Sequence, residues 1–107
     1  MTRTIDLKAA DRTVLLSLLH AHLPAGTRVG VFGSRANGTA RRYSDLDLAL
    51  EGASPLTSDL LSRLSDALSE SDLTIKVDLV DLRAIDPEFR RLIEAEIVSL
   101  DDALDSR

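Results

Sequence analysis

Two aspartates, Asp45 and Asp47, stand two positions apart in Ser44-Asp45-Leu46-Asp47-Leu48-Ala49-Leu50, whose alternation is that of a β-strand. Side chains alternate faces along a strand, so both carboxylates project from one face while Leu46, Leu48 and Leu50 take the other. Aspartate is disfavoured in strands because its short carboxylate competes for backbone hydrogen bonds and resists burial. A pair of them therefore asks for a chemical reason. A third, Asp78, interrupts another apolar run between Thr74 and Leu82. If the two strands are neighbours with matching faces, three carboxylates converge. Such a cluster repels itself and forces a group to hold a proton, unless a cation neutralises it. Mg²⁺ suits carboxylates that share the ion with substrate phosphates. Two such ions, about 3.5–4 Å apart, stabilise the attacking and leaving oxygens of an in-line displacement at phosphorus.

A glycine-rich turn, Gly33-Ser34-Arg35-Ala36-Asn37-Gly38, lies just upstream, after an apolar run. Backbone N–H groups opening a helical turn, with a serine hydroxyl, form a site for phosphate oxygens. In this reading Gly33 admits close approach, Ser34 donates a hydrogen bond and Arg35 neutralises charge. The stretch lacks the lysine of a Walker A loop. A phosphate cradle beside a carboxylate triad points to nucleotidyl transfer. Taken singly, each feature has a plainer reading: a solvated strand face for Asp45 and Asp47, a common strand-to-helix turn for Gly33-Ser34, a surface aspartate for Asp78. Their combination favours chemistry. Asp81 is one residue out of phase with Asp78 and reads as structural. Arg41 and Arg42 read as a solvated loop, and His20 and His22, two apart on a helix, do not share a face.

The elements that must position these residues follow from periodicity. Residues 7–23 carry Leu7, Ala10, Val14, Leu15, Leu18 and Leu19 at helical spacing, with Asp6 as a candidate cap. Arg28 to Phe32 is a short strand whose Gly30 leaves room for a close neighbour. One helical turn closed by Gly38 and a polar loop over Thr39 to Tyr43 lead to the strand Asp45 to Leu50. Ser54-Pro55 is a cap-and-proline pair that opens a second long helix, with Leu56, Leu60, Leu61, Leu64 and Leu68 as its stripe. Thr74 to Leu82 is a third strand, with Ile75, Val77 and Leu79 on one face and Lys76, Asp78 and Val80 on the other. Asp86-Pro87 opens a last helix bearing Phe89, Leu92 and Ile93, and Ile97 to Leu100 is a short final strand. Residues 101–107 read as a flexible tail. The fold class expected is α+β, close to α/β: a small sheet with helices packed on it. Only about a dozen residues join the first two strands, too few for a parallel crossover, so the sheet should be mixed.

The chain has 107 residues, 44% hydrophobic and only 3% aromatic, which suits a single domain spanning 1–107 with an aliphatic core. Its net charge of −5 argues against a direct nucleic-acid partner, which needs clustered Lys and Arg. Without cysteine, disulfides, thiolate nucleophiles and zinc–thiolate sites are excluded. Neither a signal-peptide pattern nor an apolar run long enough for a bilayer is present, so no membrane partner and a cytoplasmic location are expected.

Gly-Ser, then Ser-Asp-x-Asp, then a later Asp on an apolar strand resembles the signature of the DNA polymerase β-like nucleotidyltransferases. Within that superfamily the chain is similar to the minimal nucleotidyltransferases (MNT) paired with HEPN-domain toxins. Gly33-Ser34-Arg35-Ala36-Asn37-Gly38 and Ser44-Asp45-Leu46-Asp47-Leu48 carry the likeness, with Val77-Asp78-Leu79-Val80-Asp81-Leu82 as the third-carboxylate strand and Phe89 to Glu94 as the C-terminal helix. The resemblance implies a nucleotidyltransferase fold and transfer of AMP from ATP, with Mg²⁺, to a hydroxyl. The acceptor it implies is a tyrosine of a HEPN RNase toxin, which is thereby silenced. It places the nucleotide on Gly33, Ser34, Arg35 and Ser44 and the metal on Asp45, Asp47 and Asp78, with Asp78 also a candidate base. Two positions depart from the pattern: Asn37 where many relatives have arginine, and Glu96-Ile97 in place of a small residue before the last strand. The short chain leaves no room for an acceptor-binding domain, which favours a protein acceptor. An antitoxin acting by steric binding and a small-molecule adenylyltransferase are the competing expectations.

Overall fold

A computed structural model describes residues 5–100 of the chain. Its elements run α1 (Ala9–His22), β1 (Arg28–Phe32), α2 (Ser34–Asn37), β2 (Leu46–Glu51), α3 (Ser58–Ser69), β3 (Val77–Asp81), α4 (Pro87–Glu96) and β4 (Val98–Ser99). The strands form one mixed sheet in the order β3-β2-β1-β4. β1 runs antiparallel to β2 and to β4, whereas β2 and β3 are parallel. The short β1–β2 connection can only reverse the chain, and α3 supplies the longer crossover that a parallel pair needs.

The aliphatic face of the sheet carries the core. Val29 and Val31 of β1 and Leu46, Leu48 and Leu50 of β2 pack with Leu15 and Leu19 of α1 and Leu64 and Leu68 of α3. Burying such a side chain contributes roughly 1.5–3 kcal/mol, so this layer can stabilise the sheet while the opposite face of β2 holds charge. On that opposite face a smaller cluster joins Ala49, Leu82 and Ile93, with Phe32, Val80, Ile85 and Ile97 against it. Here Ile93 is the buried apolar residue of α4: Phe89 and Leu92, expected to pack with it, are 43% and 70% exposed.

Several boundaries differ from the sequence expectation, each for a local reason. Helix α3 does not start at Ser54-Pro55. The Leu56 N–H donates to Asp81 Oδ2 at 2.8 Å, tethering that residue to the end of β3. The helix begins after Thr57, whose hydroxyl accepts from the Leu60 N–H. Strand β3 begins at Val77 instead of Thr74, because Thr74 donates from N–H and hydroxyl to the buried Asp11 carboxylate (3.0 and 2.6 Å). Asp6 does not cap α1. Lys8 holds the cap position without a side-chain bond, and the backbone of Asp6 is tied to Arg35. Asp86 precedes Pro87 as expected, yet makes no capping bond. β2 starts at Leu46 and β4 covers only Val98–Ser99. The expected tail, 101–107, lies outside the described residues. Among the described residues no helix is long and apolar enough to cross a membrane.

Candidate active site

The parallel pairing of β2 with β3 sets Asp47 directly beside Asp78, and the antiparallel pairing with β1 sets Asp47 opposite Phe32. The glycine turn leaves β1 immediately after Phe32. Asp47, Asp78 and Gly33 are therefore brought together by strand register alone. Asp45 lies one residue before β2, exposed, at the same end of the sheet.

Gly33 is held at φ 77°, ψ −157°, a backbone region that L side chains rarely adopt. A Cβ there would also collide with Asp47 Oδ2. The turn thus lies directly on the carboxylate, an approach that only glycine allows. The Gly33 carbonyl accepts from the N–H groups of Ala36 and Asn37, both at 3.0 Å, and Gly38, at φ 86°, closes α2. Ser34, half-buried, is the first residue of α2.

Electrostatically the site is one-sided. The Asp47 carboxyl is pushed above the ordinary aspartate range, chiefly by burial and then by the negative charges of Asp78, Asp45 and Glu96. Glu96 was not singled out by sequence reasoning as a site residue. The last residue of α4, it reaches across to accept the Gly33 N–H at Oε1, 2.8 Å away. The two positions are 63 residues apart in sequence, so no local pattern could join them. The one signal was the departure at Glu96-Ile97. Ile97 fills the notch above Gly30, where a Cβ would strike its side chain.

The three predicted carboxylates share one end of the sheet without closing into a cage. Asp78 Oδ1 is 3.7 Å from Lys76 Nζ. Among the described residues no group of three or more His, Cys, Asp or Glu side chains is drawn close enough to hold a metal ion. The donor set is nonetheless all oxygen, and the neighbouring negative charges that raise Asp47 are what a bound cation would offset. A hard divalent cation fits that set.

Two residues assigned to the nucleotide do different work here. Arg35 is 6% exposed. Its guanidinium donates to the carbonyls of Ser44 (2.9 Å), Asp6 (2.9 Å), Arg42 (3.3 Å) and Arg41 (3.5 Å). From this buried position it braces the 39–45 loop as a strut. Ser44 belongs to the same strut, its hydroxyl accepting the Arg41 N–H at 2.8 Å. Asn37 accepts from the N–H and hydroxyl of Thr39, a local turn that arginine could not make. Asp81, read as structural, is buried and accepts the N–H groups of Leu56 and Arg83.

The polymerase β, nucleotidyltransferase family matches residues 24–102, from before β1 to beyond β4. The chain belongs to that family. The nucleotidyltransferase is 38% identical over 98 residues to MntA of Haemophilus influenzae, covering 92% of the chain and 85% of the relative. It is also 38% identical over 82 residues to the protein adenylyltransferase MntA of Shewanella oneidensis, covering 73% of the chain but only 55% of that longer relative. Among solved structures it is similar to a toxin–antitoxin complex with AMP-PNP, with 30% identity, a TM-score of 0.72 and coverage of 84% of this chain and 72% of that one. A second is a tri-AMPylated Shewanella oneidensis HEPN toxin in complex with an MNT antitoxin, with 26% identity, a TM-score of 0.66 and coverage of 86% and 70%. The nucleotidyltransferase fold expected from the sequence is thus the fold observed.

Proposed function

We propose that this nucleotidyltransferase is a cytoplasmic antitoxin that transfers AMP from ATP to a hydroxyl, tyrosine being the expected one, of a HEPN-domain toxin and so neutralises it. The observation that carries the reading is the strand register that sets Asp47 beside Asp78 with the Gly33 turn seated on Asp47. The similarity to the protein adenylyltransferase MntA and to toxin–antitoxin complexes, one with AMP-PNP, supports the class of donor and acceptor.

In this reading the turn at Gly33-Ser34 receives the triphosphate. Asp45, Asp47 and Asp78 would hold Mg²⁺ once the substrate phosphates complete its shell, and the ion would supply the positive charge that an in-line displacement at phosphorus requires. The acceptor oxygen forms a bond to the α-phosphorus as the bond to the α,β-bridging oxygen breaks, and pyrophosphate leaves. Asp78 takes the hydroxyl proton. Its side chain is 45% exposed, which suits a base that must meet a hydroxyl carried by another protein.

The test is to mix the chain with its HEPN-domain partner, ATP and Mg²⁺ and to weigh the partner by intact-mass spectrometry. Mass should rise in whole adenylate units, and the Asp45→Ala/Asp47→Ala double variant should add none. An unmodified partner that is nonetheless neutralised, by the native chain and the double variant alike, overturns catalysis in favour of steric binding.

A further inference from the structure

The Gly33 turn is too short to hold its own shape. Helix α2 has four residues, well below the length at which a helix persists unaided. The Gly33 carbonyl is taken by α2, and its N–H is taken by a side chain from the far end of the fold, Glu96. Glu96 is itself rigidly mounted. The next residue, Ile97, wedges over Gly30, and Val98 pairs with Val31 of β1. Upstream, Arg90 of α4 is fastened to the Leu82 carbonyl (2.9 Å) and to Glu51 (2.6 Å). A stiff helix end therefore delivers one carboxylate oxygen to one amide.

The placement also has a cost. It sets a fourth negative charge near Asp45, Asp47 and Asp78, where like charges already oppose one another. Fixing the turn elsewhere in the fold would not require that. What the carboxylate supplies in return is a charge-assisted bond, roughly twice as strong as a neutral one, at the amide whose residue touches Asp47.

We propose that Glu96 is a positioning residue for nucleotidyl transfer: by holding the Gly33 amide it fixes the glycine turn against Asp47, so that the phosphate-receiving turn and the metal-binding carboxylate keep one spacing. The proposal rests on the function proposed above and extends it to a residue outside the carboxylate triad. A turn free to shift by about 1 Å would lose up to ~10²-fold in rate.

Glu96→Gln keeps the acceptor oxygen and drops the charge, whereas Glu96→Ala drops both. Hydrogen exchange at the Gly33 amide, followed by NMR on the full chain, reads the clamp without any reaction. Exchange should be slow in the native chain and in Glu96→Gln, and about tenfold faster or more in Glu96→Ala. With the HEPN partner, kcat should fall about tenfold in Glu96→Ala and stay within about threefold in Glu96→Gln. Were Glu96→Ala to misfold, Glu96→Asp, one methylene too short to reach, should give the same pattern. If no partner is modified at all, the affinity for AMP-PNP with Mg²⁺ still tests the clamp, with Glu96→Ala weakened about tenfold and Glu96→Gln near native. Unchanged Gly33 exchange in Glu96→Ala overturns the proposal. So does a Glu96→Gln loss as deep as that of Glu96→Ala, which would assign the role to the charge itself. A lowered KM for ATP at native kcat in both variants overturns it too, since Glu96 would then be competing with phosphate.

Discussion

Replacing Arg35 by alanine separates what its sequence position suggests from what its contacts show. A cation facing the phosphates would leave the fold untouched on removal and would raise the KM for ATP. The guanidinium, 6% exposed, instead donates to four carbonyls. The two bonds at 2.9 Å, to Ser44 and Asp6, dominate. Hydrogen bonds to a charged group contribute about 1.5–3 kcal/mol each. The longer bonds to Arg41 and Arg42 add less, since those residues are exposed and water can replace the donor. The pair with the Asp6 carboxylate, 3.8 Å apart and largely solvated on the Asp6 side, adds little. Arg35→Ala should therefore cost about 3–6 kcal/mol, out of a total stability of order 5–15 kcal/mol. With urea m-values of about 1–3 kcal/mol/M, the unfolding midpoint should fall by at least 1 M. Arg35→Lys, a point charge in place of a fork, should lose about half as much. Ser44, held by Arg35, immediately precedes Asp45, so transfer should suffer through kcat more than through the KM for ATP. Stability within about 0.5 kcal/mol of native, with a raised KM as the only defect, would falsify the assignment of Arg35 as a strut.

Three further outcomes follow from the charged face. Asp47→Asn should abolish transfer yet raise the melting temperature by roughly 2–4 °C at pH 7. Burial and neighbouring charges raise the folded-state pKa of Asp47. Its ionisation therefore costs stability as pH rises through that value, and the advantage of the Asp47→Asn variant over the native chain should vanish in acid. Glu51 is the opposite case. The Arg90 hydrogen bond holds its carboxyl below the ordinary value of 4.5, so the stability it contributes is present above that value and is lost as pH falls through the depressed one. Glu51→Gln should lower stability by roughly 1 kcal/mol at pH 7, and the gap should close as pH falls below 4.5 in parallel urea titrations. Gly33→Ala forces both a positive φ and a Cβ into Asp47. A loss of about 1–3 kcal/mol is expected, with transfer reduced further than stability alone explains. A fully active Gly33→Ala would show that the turn need not touch Asp47.

The architecture was legible because the chain advertises it locally. Leu46, Leu48 and Leu50 alternate cleanly, Pro87 marks the start of α4, and the short β1–β2 link admits only a mixed sheet. The candidate carboxylates were legible as out-of-character residues in two apolar strands, whereas the adjacency of Asp47 and Asp78 needed the β2–β3 register. What escaped the sequence are bonds between distant residues. Thr74 is withdrawn from β3 by Asp11, 63 residues away, and Ser54-Pro55 is held outside α3 by the tether from Leu56 to Asp81. A Ser-Pro pair reads as a helix start unless that tether is known. The bonds of Arg35 escaped on the same ground. Beside a glycine turn an arginine reads as a phosphate ligand, and only the path of the 39–45 loop around its guanidinium reveals a structural role. Glu96 lay in view as a departure from pattern, but its target is an amide at the other end of the fold.

That last bond bears on the order in which the protein is made. Gly33 and Asp47 are translated early, and most of the aliphatic face that packs α1 and α3, though not its Leu100, is present once β3 has emerged. The Gly33 amide meets its partner only after the ribosome has delivered residue 96. A nascent chain paused between β3 and the end of α4 would thus carry most of its aliphatic core and all three aspartates while its glycine turn still lacked the Glu96 bond.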